Sequence, residues 1–307
     1  MSLETDLLLD RRRLKRRLVF WRVVAVVALV VAALGALRGA GLTPTGAHIT
    51  RVSVNGLITE DRKVTEAIYK LADDDQVKAV ILSINSPGGS VSGGETIHDA
   101  IARVAAKKPV VVTMRGLAAS AGYMIAMPAN RIFAREATLT GSIGVLIETG
   151  EISGLLGKLG IGPEVIRSGP LKDEPSLVRP LSPAGQEVMQ GLVNDMYDQF
   201  VEMVAAGRHM DPVRVRTLAD GRAYTGRQAL KLGLVDAIGG EPEAKAWLTS
   251  EKGVPTGLPV RDIAEIGFAS RTFTSQLGWM FQEFWKILIS QSVSLDGARA
   301  VWQRSGS

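Results

Sequence analysis

Few residues in this chain could carry covalent chemistry. Cysteine is absent, which removes thiolate nucleophiles and thiolate metal sites, and there are only three histidines, His48, His98 and His209. They stand after an apolar N-terminal stretch, inside an expected helix and beyond a helix stop, so none sits in a loop with catalytic surroundings. A Ser-His-Asp set stays open, because its members can be far apart in sequence. No HExxH spacing, Walker loop or GxGxxG fingerprint is present. What remains is a serine set among small residues, Ser120 in "GLAASAGYMIA", and the glycine-rich loop "INSPGGSVSGG".

Both stretches follow expected strands and lead into expected helices. Pro87 fixes a turn, while Gly88 and Gly89 can take backbone angles closed to other residues and bring their N–H groups close to a ligand. Such groups can hold a developing oxyanion. Ser120 would open a helix, where free amides favour negative charge, and the N–H of Ala121 could join that of Gly88 or Gly89 around an attacked carbonyl. Taken alone, each loop also reads as an ordinary strand-to-helix turn.

A serine hydroxyl needs a group to take its proton, and without a suitable histidine the next option is a desolvated lysine. Lys172 in "RSGPLKDEPS" lies just past the apolar run "PEVI", in a loop with glycine and proline. Burial there would lower its pKa toward neutrality. Asp173 and Glu174 beside it fit a solvated surface lysine equally well.

These groups need a frame. From His48 the chain alternates β-branched runs ("ITRVSV", "VKAVILSI", "PVVVTM", "RIFA", "PEVIRS") with helical stretches near 61–72 and 92–107. Continuous apolar strands between amphipathic helices predict an α/β layered domain with its strands covered on both faces. Residues 183–249 read as mainly helical, beginning with one long helix that has Ser182 as N-cap, Pro183 at its first position and Gly207 as its stop. Beyond residue 250, Phe273, Leu277, Phe281, Phe284 and Leu288 recur at helical spacing, an amphipathic helix suited equally to docking on protein or to a membrane surface.

The formal charge of +5 is uneven: residues 1–38 hold eight Arg/Lys against three Asp/Glu, which leaves the rest balanced and argues against a nucleic-acid face. The basic cluster precedes 20 residues, 18–37, interrupted only by Arg22. That stretch is long enough to span a bilayer, and Arg22 can snorkel to the headgroups. The positive-inside rule puts 1–17 in the cytoplasm and the bulk of the chain across the membrane. A cleaved signal peptide is the lesser alternative, since the stretch exceeds a usual h-region.

Five segments, "NSPGG", "AASAGYMIA", "LTGSIGV", "SGPLKDEPS" and "GRAYTGRQALKLGLVDAIGG", resemble in order and spacing the signal peptide peptidase family of serine–lysine proteases, the SppA group, over about residues 49–250. The resemblance implies an α/β fold of the ClpP/crotonase type in a protease domain at 46–250, with a tail at 251–307. It implies Ser120 as nucleophile, Lys172 as general base, Ser142 orienting the lysine, and Gly88 or Gly89 with Ala121 as the oxyanion hole, with no cofactor. Ala118, Ala119 and Ala121 would leave room for apolar substrate side chains. The substrates implied are remnant signal peptides and other apolar peptides near the membrane. The partner implied is a second copy of the chain, in a homo-oligomeric ring, an octamer, whose sites combine serine and lysine from neighbouring subunits, held on the outer face of the inner membrane. A crotonase-like acyl-CoA enzyme and an inactive membrane scaffold are the alternatives.

Overall fold

A computed structural model describes residues 21, 22, 25, 26 and 46–266. The basic segment and the aromatic helix expected near 273–288 lie outside the described residues, as does nearly all of the apolar span 18–37. Among the described residues no helix is long and apolar enough to cross a membrane. Residues 1–47 form one unit, and the chain from His48 onward forms the other.

In the second unit, β1 (His48–Ile58), β2 (Val77–Gly89) and β3 (Val110–Ala119) form the centre of a sheet ordered β6-β5-β3-β2-β1-β8. The outer strands are β5 (Leu139–Gly141), β6 (Ala223–Thr225) and β8 (Val260–Ile266); β4 (Arg131–Ala134) pairs with β3 and with β7 (Ala237–Ile238). All pairings are parallel except β5 with β6. Parallel strands need crossovers, which α1 (Arg62–Leu71) and α2 (Val91–Ala105) supply between β1, β2 and β3. Both helices start where expected, with Asp61 accepting the N–H groups of Lys63 and Val64, and Ser90 accepting that of Gly93.

Alternation along the strands divides the core. Val52, Val54, Val80, Leu82, Ile84, Val110 and Val112 pack with Ile68, Ile97, Ile101, Tyr123, Phe200 and Val204 from the helices on one face. Ile49, Ile81, Val111 and Phe133 meet Ala244 and Leu248 of α8 (Glu241–Lys252) on the other. Both faces therefore carry apolar side chains, which is why "VKAVILSI" reads as a continuous run rather than an alternating one. β8 lies beyond the boundary expected at residue 250 and extends the same sheet along β1.

Three elements join these: a short helix α3 (Ala121–Met124), α4 (Ser153–Lys158) and the long α5 (Pro183–Arg208). Then α6 (Pro212–Leu218) and α7 (Gly226–Leu232) lead to β7. Ser182 caps α5 as expected, its hydroxyl accepting the Gly185 N–H at 3.0 Å. Gly207, however, is not the stop. The helix continues to Arg208 and ends at His209 in the left-handed conformation; Gly207 lies inside it, where a Cβ would come within 2.6 Å of the Met127 carbonyl oxygen. Its smallness serves close packing. The expected strand "PEVIRS" is also absent: 161–167 has no regular structure and no strand partner, and Ile166 is 95% exposed. β-branched residues alone do not make a strand without a neighbour.

Candidate active site

Ser120 is delivered by a fork in the sheet. The first half of β3, 111–114, pairs with β4, while 117–119 pairs with β5. Thr138 fills the gap where the partner changes: its buried hydroxyl donates to the Arg115 carbonyl at 2.5 Å and accepts the Arg135 N–H at 3.0 Å. β3 then ends in a sharp turn with Ser120 at φ 53°, ψ −125°, before α3. Such backbone costs a non-glycine residue about 1–3 kcal/mol and persists only when the surroundings over-determine it.

They do so here. The Ser120 N–H donates to the Gly141 carbonyl at 2.9 Å, and the Ser120 carbonyl accepts from Tyr123 and Met124 at 2.8 and 3.0 Å. Every residue of α3 is buried. Tyr123 anchors it by donating its hydroxyl to the Leu234 carbonyl at 2.7 Å, and complete burial pushes that phenol well above its usual pKa. The Ser120 hydroxyl itself makes no capping bond, and the residue is only partly buried. It is free to react.

The glycine loop lies directly against this turn. Gly88 has φ +110°, and a Cβ built on it would fall 2.7 Å from Ser120 Cβ and 3.1 Å from the Ala121 nitrogen. Only glycine fits, and the space it leaves adjoins the Ala121 N–H, a first-turn amide with no intrahelical acceptor. The two glycines differ in their own donors. The Gly88 N–H is engaged with the hydroxyl of the fully buried Ser86 at 3.0 Å. Ser90 N–H donates to the Ile58 carbonyl on β1 at 2.9 Å, which holds the end of the loop against β1. The Gly88 N–H is thus occupied within its own chain, whereas the Gly89 N–H makes no hydrogen bond among the described residues.

Ser142 is a second non-glycine residue at positive φ, 47°. Its N–H donates to the Arg222 carbonyl at 3.0 Å and its hydroxyl to the Gly221 carbonyl at 3.0 Å, so in the single chain that hydroxyl faces Gly221 rather than Lys172. Ala118 is fully buried in the core and Ala119 is 7% exposed, so in this chain neither forms an open pocket wall.

Lys172 is exposed, and its ammonium has no hydrogen-bond or ion-pair partner among the described residues. The loop around it is held by residues that motif reading passed over. Arg179 donates to the Asp173 carboxylate at 2.9 Å and to the Asp173 carbonyl at 2.8 Å, which holds the Asp173 carboxyl below its usual pKa. Its other nitrogen lies 3.6 Å from Glu174, whose side chain is only 2% exposed. The signal for this clasp was an arginine six residues after adjacent acids, legible only once the loop is known to close on itself. The histidines stay away from the site: His48 is buried at the start of β1, His98 contacts Asp99 at 3.0 Å, and His209 caps α5. Among the described residues no group of three His, Asp or Glu side chains could hold a metal.

Residues 102–255, about half of the chain, match the profile of peptidase family S49, and residues 51–140 match that of Clp protease. A candidate protease of Synechocystis sp. is 39% identical over 213 residues, which cover 69% of this chain and 77% of that protein. The chain belongs to peptidase family S49. A candidate signal peptide peptidase SppA of Enterococcus faecium is 40% identical over 220 residues, covering 66% of this chain and 63% of the relative. Protease 4 of Salmonella typhi is 37% identical over 212 residues, 66% of this chain but 34% of its own length. The chain therefore spans about three quarters of the first relative and less than two thirds of the other two. Membership makes this S49 chain a peptidase on an α/β, ClpP-like frame, and sets aside the acyl-CoA reading. Ser120, Ser142 and Lys172 all fall inside the S49 match, and Gly88 and Gly89 inside the Clp match.

Proposed function

We propose that the protein is a membrane-anchored serine endopeptidase that cleaves remnant signal peptides and other apolar peptides, with Ser120 as nucleophile and Lys172 as general base. The observation that carries this reading is the strained turn at Ser120, whose unengaged hydroxyl sits against the Gly88 gap and the Ala121 N–H. Lys172, in its neutral form, takes the Ser120 proton as the oxygen attacks a peptide carbonyl. The N–H groups of Gly89 and Ala121 hold the oxyanion. Lys172 returns the proton to the leaving amine, then activates water to release the acyl group. Ser142 orients the lysine by exchanging its bond to Gly221 for one to the ammonium nitrogen.

The base comes from a neighbouring copy in a homo-oligomeric ring, an octamer. Two features support this: the Lys172 ammonium has no partner among the described residues, and the segment around it exposes Leu146 (78%), Leu155 (57%), Leu159 (64%) and Ile166 (95%). Apolar side chains so displayed on one segment mark a surface that another protein covers. The span 18–37 anchors the ring with its catalytic domains on the outer side of the membrane.

The test is peptide turnover by wild type, Ser120→Ala, Lys172→Ala and a mixture of the two variants. Each variant alone should be inactive, and mixing should restore turnover through sites that pair an intact serine with an intact lysine. Full activity in either variant overturns the dyad, and a mixture that stays inactive overturns the shared site.

A further inference from the structure

The α8 face of the sheet changes character half-way along its strands. Near their starts it is apolar, with Ile49, Ile81 and Val111 beneath α8. Further along, Ser53, Ser83 and Thr113 are direct register partners across β1, β2 and β3, a row of three hydroxyls at the middle of a parallel sheet. Neighbouring strands lie about 4.8 Å apart, so the row spans roughly 10 Å. Parallel strands are normally apolar on both faces. This row instead floors an open cleft of about 650 Å³.

Ser83 is 9% and Thr113 4% exposed, yet neither hydroxyl has a hydrogen-bond partner among the described residues. Their hydroxyls line the open cleft, so the floor offers donors and acceptors where a parallel sheet would ordinarily present apolar side chains. The rim supplies charge. Arg51 is fixed by Asp262 at 2.7 Å and Glu241 at 2.9 Å, which neutralise it. Arg115 and Arg135 also line the cleft, and among the described residues their guanidinium groups make no hydrogen bond or ion pair. Counting these five charged groups, the cleft is net positive.

We propose that this cleft binds a small phosphoryl-bearing ligand. Three hydroxyl donors and two unpaired guanidinium groups exceed what the two oxygens of a carboxylate can accept, and suit the several oxygens of a phosphate. The volume leaves room for a polar body attached to the phosphoryl group. The same chemistry is offered by a soluble phosphate monoester and by a lipid headgroup. The proposal stands apart from the peptidase site, because Arg115 and Arg135 contribute only main-chain atoms to the fork that delivers Ser120 and the side chains used here lie in a separate cleft.

The experiment uses the full chain in phosphate-free buffer. Binding of inorganic phosphate and phenyl phosphate is read from phosphorus NMR line broadening, and Tm is measured in phosphatidylcholine vesicles with and without phosphatidic acid. Saturable binding is expected, weakened about tenfold or more in Ser83→Ala/Thr113→Val and in Arg115→Gln, while peptide turnover persists. Arg115 is exposed, so its variant keeps the test valid if the double variant fails to fold. Ser120→Ala should bind phosphate like wild type, which separates this site from the peptidase reading. A response to the monoester alone assigns a soluble ligand; an added rise in Tm with phosphatidic acid, lost in the variants, assigns a headgroup. No saturable binding to any probe, or binding unchanged in the variants, overturns the proposal. So does a double variant whose subunit number changes while its phosphate binding does not, since the face would then be a contact between copies.

Discussion

Replacing Gly88 with alanine tests the geometry on which the proposed chemistry depends. The new Cβ would lie 2.7 Å from Ser120 Cβ, 3.0 Å from the Ala119 carbonyl oxygen and 3.1 Å from the Ala121 nitrogen, on a residue with φ +110°. Two of these neighbours are backbone atoms of the strained turn and cannot swing aside. The backbone conformation should cost alanine about 1–3 kcal/mol. The overpacking should cost a further ~1–3 kcal/mol, a sizeable share of a stability of about 5–15 kcal/mol. The effect on catalysis is separate. A methyl group over the Ala121 N–H keeps the oxyanion from that donor, and loss of one such donor costs about 10²–10³ in kcat. The control is Gly116→Ala, whose added Cβ would meet only Asn85 Oδ1 at 3.5 Å, an ordinary contact. Thermal denaturation gives the first quantity; peptide turnover, with labelling of Ser120 by a serine-reactive acylating probe, gives the second at a temperature where both variants are folded. The reasoning is refuted if Gly88→Ala labels and turns over peptide at the wild-type rate.

Arg208→Ala should destabilise the domain by about 1.5–3 kcal/mol in urea titration, because the side chain is 9% exposed and binds Asp236 at 2.6 and 3.0 Å, while Asp236 keeps the Ile132 N–H at 2.7 Å and its contact with solvent. Glu174→Leu should leave stability unchanged or raised, since apolar replacement of a buried ion-pair member with an unpartnered oxygen removes a desolvation cost. Arg179→Ala, by contrast, frees the Lys172 loop and should lower kcat more than KM changes, as peptide kinetics would show. The hydrogen bonds from Arg51 hold the Asp262 carboxyl below its usual pKa, outweighing desolvation. A lowered folded pKa means that the pair's contribution is complete above the unfolded value and is lost as pH falls through the folded one. Hydrogen exchange of β8 amides should therefore accelerate on acidification below the ordinary carboxylate range, and Asp262→Asn should abolish that dependence.

The legible features were those in which local chemistry and tertiary context agree. "VKAVILSI" needed only its apolar continuity to be placed at the sheet centre, and Asp61 and Ser182 cap helices through bonds to residues two to four positions away. Gly207 misled because a glycine near a helix end serves equally as a terminator or as a contact point, and only the approach of Met127 decides between them. "PEVIRS" misled because β-propensity states what a segment would do beside a strand, and here there is none. At the site, the residue types of Ser120, Gly88 and Gly89 were readable, whereas the φ of Ser120 and the bond from Gly88 to Ser86 were not. The turn at Ser120 depends on the fork of β3 between β4 and β5, a pairing between distant segments, and the Gly88 bond on the complete burial of Ser86.

The two halves of the proposed chemistry rest on different kinds of structure. Ser120 and the amides around it are fixed by buried contacts in which an added methyl group clashes, so their geometry is complete in one chain. Lys172 sits on an arm whose apolar side chains face outward and whose main clasp, Arg179 with Asp173 and Glu174, is internal to its own loop. The apolar surface that a neighbouring copy would cover is displayed on the same arm, so assembly would bring a partner surface to Lys172 itself. On the proposed reading, the half of the site at Ser120 is shaped within one chain, and the half at Lys172 waits on a neighbour.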